Sequence, residues 1–263
     1  MTIVLIGLAL YLLAAGWLVA AVRREDASAR GWLLPANAAV LLHGATHVLA
    51  WRQNGATDLH FFAALSLVGL GMAVLTAIMG AAGRMRALGV VAFPLAAMVL
   101  LAYGLYGRSA SPDPLDWRLL LHAWLALLAY ATLAIAALLA LFLWGQERAL
   151  RRREFHPWLR ALPPLTELES LLFRTIAVGF VLLTATLLTG VLFVQDLLAQ
   201  HLVHKTVLSL LSWLAFGALL LGRWRLGWRG TTAVRWTLAA MALLVLAFFG
   251  SKFVLELVLQ HGD

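Results

Sequence analysis

Long apolar stretches alternate with short polar connections along the whole chain. Eight can be marked, at about 2–22, 32–51, 61–82, 87–107, 117–144, 169–198, 206–222 and 232–258. Each is near or above the ~20 residues that an α-helix needs to cross the hydrocarbon, with 206–222 the shortest. The stretches are rich in Leu and Ala and lack period-2 alternation between turns, which favours helices over a β-barrel. The pattern therefore predicts an all-α, polytopic membrane protein: a bundle of about eight transmembrane helices forming a single domain over 1–263.

Composition sharpens this picture. Hydrophobic residues make up 63% of the chain and charged residues only 12%, too little polar surface for a soluble domain of this length. Cysteine is absent, which excludes disulfides, thiolate metal sites, Cys nucleophiles and covalent haem attachment through CxxCH. The N-terminal run MTIVLIGLALYLLAAGWLVAAVRRED has no basic residue before its apolar stretch, so a retained first helix is expected rather than a cleaved signal peptide.

The net charge of +8 comes from arginines placed unevenly. The connections after the odd-numbered stretches hold fourteen: Arg23, Arg24, Arg30, Arg84, Arg86, Arg148, Arg151, Arg152, Arg153, Arg160, Arg223, Arg225, Arg229 and Arg235. The opposite side holds five basic residues, Arg52, Arg108, Arg118, Lys205 and Lys252, and Arg174 lies inside the sixth stretch. By the positive-inside rule the odd connections are cytoplasmic and both termini lie outside, on the periplasmic side of a bacterial inner membrane. Such an excess on a membrane protein meets lipid headgroups, so no nucleic acid partner is needed to explain it. The longest connection, 145–168, carries ERALRRREFHPWLRALPPLTE; it reads as a headgroup-facing linker, with docking of a soluble cytoplasmic protein as the sharper alternative.

Seven of the eight histidines then fall at or beyond mid-membrane on the outer side, and only His156 is cytoplasmic. His43 sits near the middle of the second stretch. His47, four residues on, shares its helix face, so both can address one site. His122 enters from the fifth stretch. Neutral imidazole is a good ligand for haem iron, and two helices each giving one histidine can grip a haem. Trp51, Trp117, Trp124 and Tyr130 could line such a pocket. An intramembrane histidine also serves as interhelical hydrogen-bonding glue, although buried ionisable groups in membranes mark functional sites by default. His47, His60, His201 and His261 read more simply as interfacial residues. Zinc is a poorer fit, since no HExxH-type or carboxylate-rich arrangement accompanies the histidines.

Among other residues, Glu167 and Glu169 open the sixth stretch, where carboxylates favour the positive helix end. Arg174 could pair with Glu169 or with a neighbouring helix. GWRG (227–230) reads as a helix connection turned by its glycines, Trp213 as packing or interfacial anchoring, and Lys252 with Glu256 as a mutually neutralising pair. Gly179, Gly190, Gly217 and Gly250 would allow close helix contact.

Several segments, in order, carry a family resemblance: LLHAWLALLAYATLAIAALLAL (120–141), LESLLFRTIAVGFVLLTATLLTG (168–190), VHKTVLSLLSW (203–213), GWRG and FFGSKFV (248–254). Over roughly 35–258 the chain resembles the cytochrome c assembly protein family, the haem-handling membrane proteins of the CcsA/CcmC type, and within it the short, eight-helix YpjD/HemX-like branch. The resemblance implies haem held near the outer leaflet by histidines. His122 matches the histidine that opens the family's "LHxxLxxLAYATL"-like helix, His43 one in an early helix, and His261 a late external one. Longer members carry a tryptophan-rich external segment ending in a WDPKE-like run; here the stretch is QDLLAQHLVHKTVLS, with Lys205 at the lysine. Longer members also have a second membrane histidine before GWRG, where this chain has Leu221, Gly222 and Arg223.

The expectation is a non-catalytic haem-handling protein assisting cytochrome c assembly or haem homeostasis. Haem b would be its cofactor, with His43 and His122 as iron ligands and His47, His261, Trp124 and Tyr130 beside them. Its partners would be membrane lipid, haem and other cytochrome assembly or soluble cytoplasmic proteins. Two rivals remain: a b-type cytochrome subunit that moves electrons, and a haem-free scaffold or regulatory protein acting through its arginine-rich connection.

Overall fold

The computed structural model describes residues 1–24, 30–83, 85–107, 116–153, 159, 162–193 and 200–250. All regular structure among them is helical: α1 (Thr2–Arg23), α2 (Leu33–Asn54), α3 (Phe61–Ala81), α4 (Leu88–Tyr106), α5 (Trp117–Arg151), α6 (Leu165–Phe193), α7 (Gln200–Leu226) and α8 (Gly230–Val245). Eight helices are long and apolar enough to cross a membrane, which bears out the all-α, eight-helix expectation. The boundaries differ in instructive ways. α5 runs to Arg151, into the arginine-rich connection, because GQERALR consists mostly of good helix formers. α6 begins directly after Pro163 and Pro164, with the Pro164 carbonyl accepting from the amides of Glu167 and Leu168 at 2.9 and 3.0 Å. α7 starts at Gln200, so the span read as short from the sequence gains more than a turn. Lys252 and Glu256 lie outside the described residues.

The chain divides into two compact units, residues 1–114 with 146–168, and residues 115–145 with 169–263. In the first, α1 packs against α2 and α4, and α3 against α4 and α2. The core is made of small residues around a few large rings: Ala14, Ala36, Ala39, Ala73 and Ala96 are fully buried, as are Tyr11 and Phe93. Without a hydrophobic driving force between helices in lipid, such small side chains are what permits close contact and dispersion gain. Gly69 is a tight case between helices, since a Cβ there would lie 2.3 Å from Cγ2 of Val99 on α4.

The second unit is tied at one end by an ion cluster. Glu169, buried at the start of α6, accepts from Arg223 Nη1 at 2.9 Å and from Arg229 Nε and Nη2 at 3.1 and 2.9 Å. Arg174, the partner weighed for Glu169 from the sequence, is exposed on α6. Hydrogen bonding to Glu169 raises the Arg229 pKa above its ordinary value. The two arginines flank the α7–α8 connection, where Gly227 adopts a left-handed φ of +66° and the Trp228 indole lies over Gly222. GWRG is thus a helix connection, as its glycines suggested. Trp213 packs as expected, stacked on Phe180 at 5.5 Å with its Nε1 donating to Thr184 Oγ1 at 2.8 Å.

Two substitutions test this packing. Gly69→Val forces a stiff branched side chain against Val99 and should lower stability by about 1–3 kcal/mol, read as a lower melting temperature by circular dichroism in detergent. Glu169→Gln removes the charge shared by two arginines; with those arginines partly exposed, a loss of about 1–3 kcal/mol is expected, the usual cost of unpairing one buried polar group.

Candidate functional site

The histidines of α2 lie in a hydrogen-bonded chain inside the first unit. His43 is fully buried, and both its ring nitrogens are engaged: Tyr11 Oη lies 3.2 Å from Nδ1 and Ser66 Oγ lies 2.8 Å from Nε2. Ser66 Oγ is also 3.0 Å from His47 Nε2, so one hydroxyl joins the two imidazoles that the i, i+4 spacing placed on one face. The directions follow from donor supply. Among the described residues His43 is the partner of the buried Tyr11 hydroxyl, so Tyr11 donates to Nδ1, His43 Nε2–H donates to Ser66, and Ser66 donates to His47. His47 stacks on Tyr103 of α4 at 4.4 Å, and His60 lies nearby at 6.4 Å from the same ring. His60 Nδ1 is 2.7 Å from Asp58 Oδ1. The chain therefore links α1, α2, α3 and α4.

His122 has a different setting, in the second unit. It lines a cavity of about 300 Å³ together with Tyr130, Thr186, Gly190, Lys205, Ser209 and Phe248. Its Nδ1 is 3.2 Å from Thr189 Oγ1, and that hydroxyl hydrogen is directed to the carbonyls of Ala185 and Thr186 at 2.9 and 3.0 Å. With the Thr189 hydroxyl donating to those carbonyls, the tautomer that satisfies this contact carries its proton on Nδ1 and leaves the lone pair on Nε2. A Cβ at Gly190 would stand 3.2 Å from His122 Cε1, so the glycine gives the ring its room. Tyr130 donates its hydroxyl to the Leu244 carbonyl, at the entry to a π-helical turn, Leu246–Gly250, in which Ala247 and Phe248 join the cavity wall. π-turns inside α-helices recur at functional sites.

The structure thus brings His43 and His47 to one cluster and His122 and Tyr130 to one cavity, in separate units. Trp124 is 40% exposed on α5, while the residues lining the cavity do not include it. Trp51 and Trp117 are exposed as well, as interfacial anchors are. His204 is exposed on α7; His261 and His156 lie outside the described residues. Sequence reading missed Tyr11, Ser66 and Thr189, and named Gly190 only as a site of close helix contact. Tyr11 and Ser66 left a signal, each a polar side chain within an otherwise apolar run facing a span that carries an intramembrane histidine.

Fold and site together define a polytopic helical membrane protein with imidazoles built into its spans. The model of the family described as "Cytochrome C assembly protein" matches residues 33–259, and the chain belongs to that family. It is 38% identical over 140 residues to the "Inner membrane protein YpjD" of Escherichia coli K12, covering 53% of each chain. It is 39% identical over 141 residues to an uncharacterised 28.8 kDa protein of Azospirillum brasilense, 53% of this chain and 52% of that one. To the "Protein HemX" of Brevibacillus brevis it is 27% identical over 134 residues, 50% of this chain and 49% of the relative. The chain spans about half the length of the curated relatives it matches. No solved structure matches it.

Ser66→Ala leaves His43 Nε2–H, which is fully buried, without an acceptor and the half-buried His47 without a donor. A loss of about 1–3 kcal/mol in stability is expected, checked by thermal unfolding in detergent beside Ser209→Ala as a control at the cavity wall.

Proposed function

We propose that the chain is a non-catalytic haem-handling protein of a bacterial inner membrane, assisting cytochrome c assembly or haem homeostasis. Both termini lie outside, and His122 is the residue that meets the iron. The observation that carries this reading is the place of the His122 ring on a cavity wall, with Nδ1 3.2 Å from Thr189 Oγ1, an arrangement that leaves Nε2 for a ligand. Membership of the cytochrome c assembly family supports it, as does the "inner membrane" in the name of the Escherichia coli relative.

The residues present fit haem b. Imidazole suits haem iron, and a hydrogen bond from Nδ1–H to a threonine oxygen raises the basicity of the coordinating nitrogen. Leu183, Leu187, Val191 and Leu244 give the cavity an apolar wall that a porphyrin face requires. Lys205 adds a cation suited to a propionate. Bound haem would supply an iron centre for delivery or storage; the protein's own residues bind it, orient the imidazole and limit water. A volume of about 300 Å³ is at the small end for ligand cavities. In this reading His43 holds helices together instead of holding iron, because ligation through Nε2 would cost it the bond to Ser66.

The test is an absorption spectrum of detergent-purified protein, expressed with ample haem, beside His122→Ala and His43→Ala. A Soret band is expected in the wild type, lost in His122→Ala and kept in His43→Ala. Loss in both variants would restore ligation by the pair. No band in the wild type would overturn haem handling and favour a scaffold acting through the arginine-rich connection.

A further inference from the structure

Tyr130 of α5 is 6% exposed, and its hydroxyl reaches α8 at the point where that helix changes its winding. The hydroxyl donates to the Leu244 carbonyl. The backbone of Phe248 is hydrogen-bonded to the same hydroxyl. A tyrosine hydroxyl has one hydrogen, already given to Leu244, so its oxygen accepts here and the Phe248 amide donates. In a regular α-helix these two backbone groups, four residues apart, would bond each other. The hydroxyl stands between them and serves each as the partner it would have found in the other. Directly beyond, the chain enters the π-turn Leu246–Gly250. Insertion of a side chain into the backbone ladder is a recognised cause of such a break.

We propose that the Tyr130 hydroxyl is a wedge in α8 that holds the π-turn open and thereby sets the wall of the His122 cavity, making Tyr130 a positioning residue that acts through Ala247 and Phe248. The task needs this residue type. Inside hydrocarbon, an N–H and a C=O taken out of the ladder must both be satisfied by the protein. One hydroxyl does this as donor and acceptor at once, which a phenylalanine ring cannot do. The ring is held in place, with Phe248 and Phe249 packed on it at centroid distances of 5.9 and 5.6 Å. A hydroxyl that only tied α5 to α8 would need the Leu244 carbonyl and not the Phe248 amide as well.

The consequence for the cavity is geometric. A π-turn holds one residue more than α-helical winding, so closing it swings the side chains that follow by roughly 100°. Ala247 and Phe248 lie inside that turn and line the cavity with His122. The wedge is a property of the chain alone; its bearing on haem rests on the reading of His122 given above.

Tyr130→Phe keeps the ring and removes the hydroxyl. A wedge and a tie then predict opposite signs for amide hydrogen exchange over 244–250, read by mass spectrometry of the full chain in detergent. Without the wedge the helix closes, and exchange slows about fivefold, the weight of one backbone hydrogen bond. Faster or unchanged exchange overturns the proposal. Thr184→Val, which loses a simple tie to Trp213, should leave this stretch within about twofold of wild type on the same scale. In the wild type, the Phe248 amide is picked out by joining carbonyl-labelled alanine to nitrogen-labelled phenylalanine, a pair found at 92–93, 215–216 and 247–248. It should show a nuclear Overhauser contact with the Tyr130 ring, and absence of that contact overturns the wedge whether or not the variant folds. Haemin titration reads the cavity: Tyr130→Phe should weaken binding severalfold and Thr184→Val should not. Equal affinity in wild type and Tyr130→Phe overturns the link to the cavity. No Soret band in the wild type sinks haem handling and leaves exchange to decide the wedge.

Discussion

Inside hydrocarbon a polar group has no water to bond, so each one must find its partner within the protein. The helical backbone meets this requirement by itself; the side chains meet it through specific neighbours. Tyr11, His43, Ser66 and His47 form one donor-to-acceptor series across α1, α2 and α3, with Tyr103 of α4 stacked at its end. Tyr130 closes on the Leu244 carbonyl, and Trp213 on Thr184. These bonds specify register between helices whose leucines and alanines would slide with little penalty.

Against that background two unfilled capacities stand out. One is the lone pair on His122 Nε2, kept open because Thr189 fixes the proton on the other nitrogen. The other is the Trp32 indole proton. His60 Nε2, Thr76 Oγ1, Gln146 Oε1 and Glu147 Oε2 are also buried without a hydrogen-bond partner among the described residues, but these two lie beside cavities.

The spans were legible because apolar length is a strong signal, although α6 begins at Leu165, directly after Pro164 and four residues before the expected start at 169. The reach of α5 to Arg151 was less visible: hydropathy reports where lipid ends, not where the helix does. His43 and His47 were rightly seen to share a face, but nothing in the local pattern says that Ser66 would stand between them, because the contact joins separate spans. The same holds for Thr189, whose role depends on its hydroxyl already being committed one turn back. Glu169 drew attention toward Arg174, one turn away in sequence, whereas tertiary contact chose arginines more than fifty residues downstream.

Those arginines have a double life in time. Chains emerge from the ribosome in order, so Glu169 is made more than fifty residues before Arg223 and Arg229, and each arginine arrives as a cation whose carboxylate already waits on α6. Only once α6, α7 and α8 stand together can Glu169 gather them in. The same two residues thus begin as charges on a connection and end as a fastener, so the start of α6 is not secured until the later helix pair arrives.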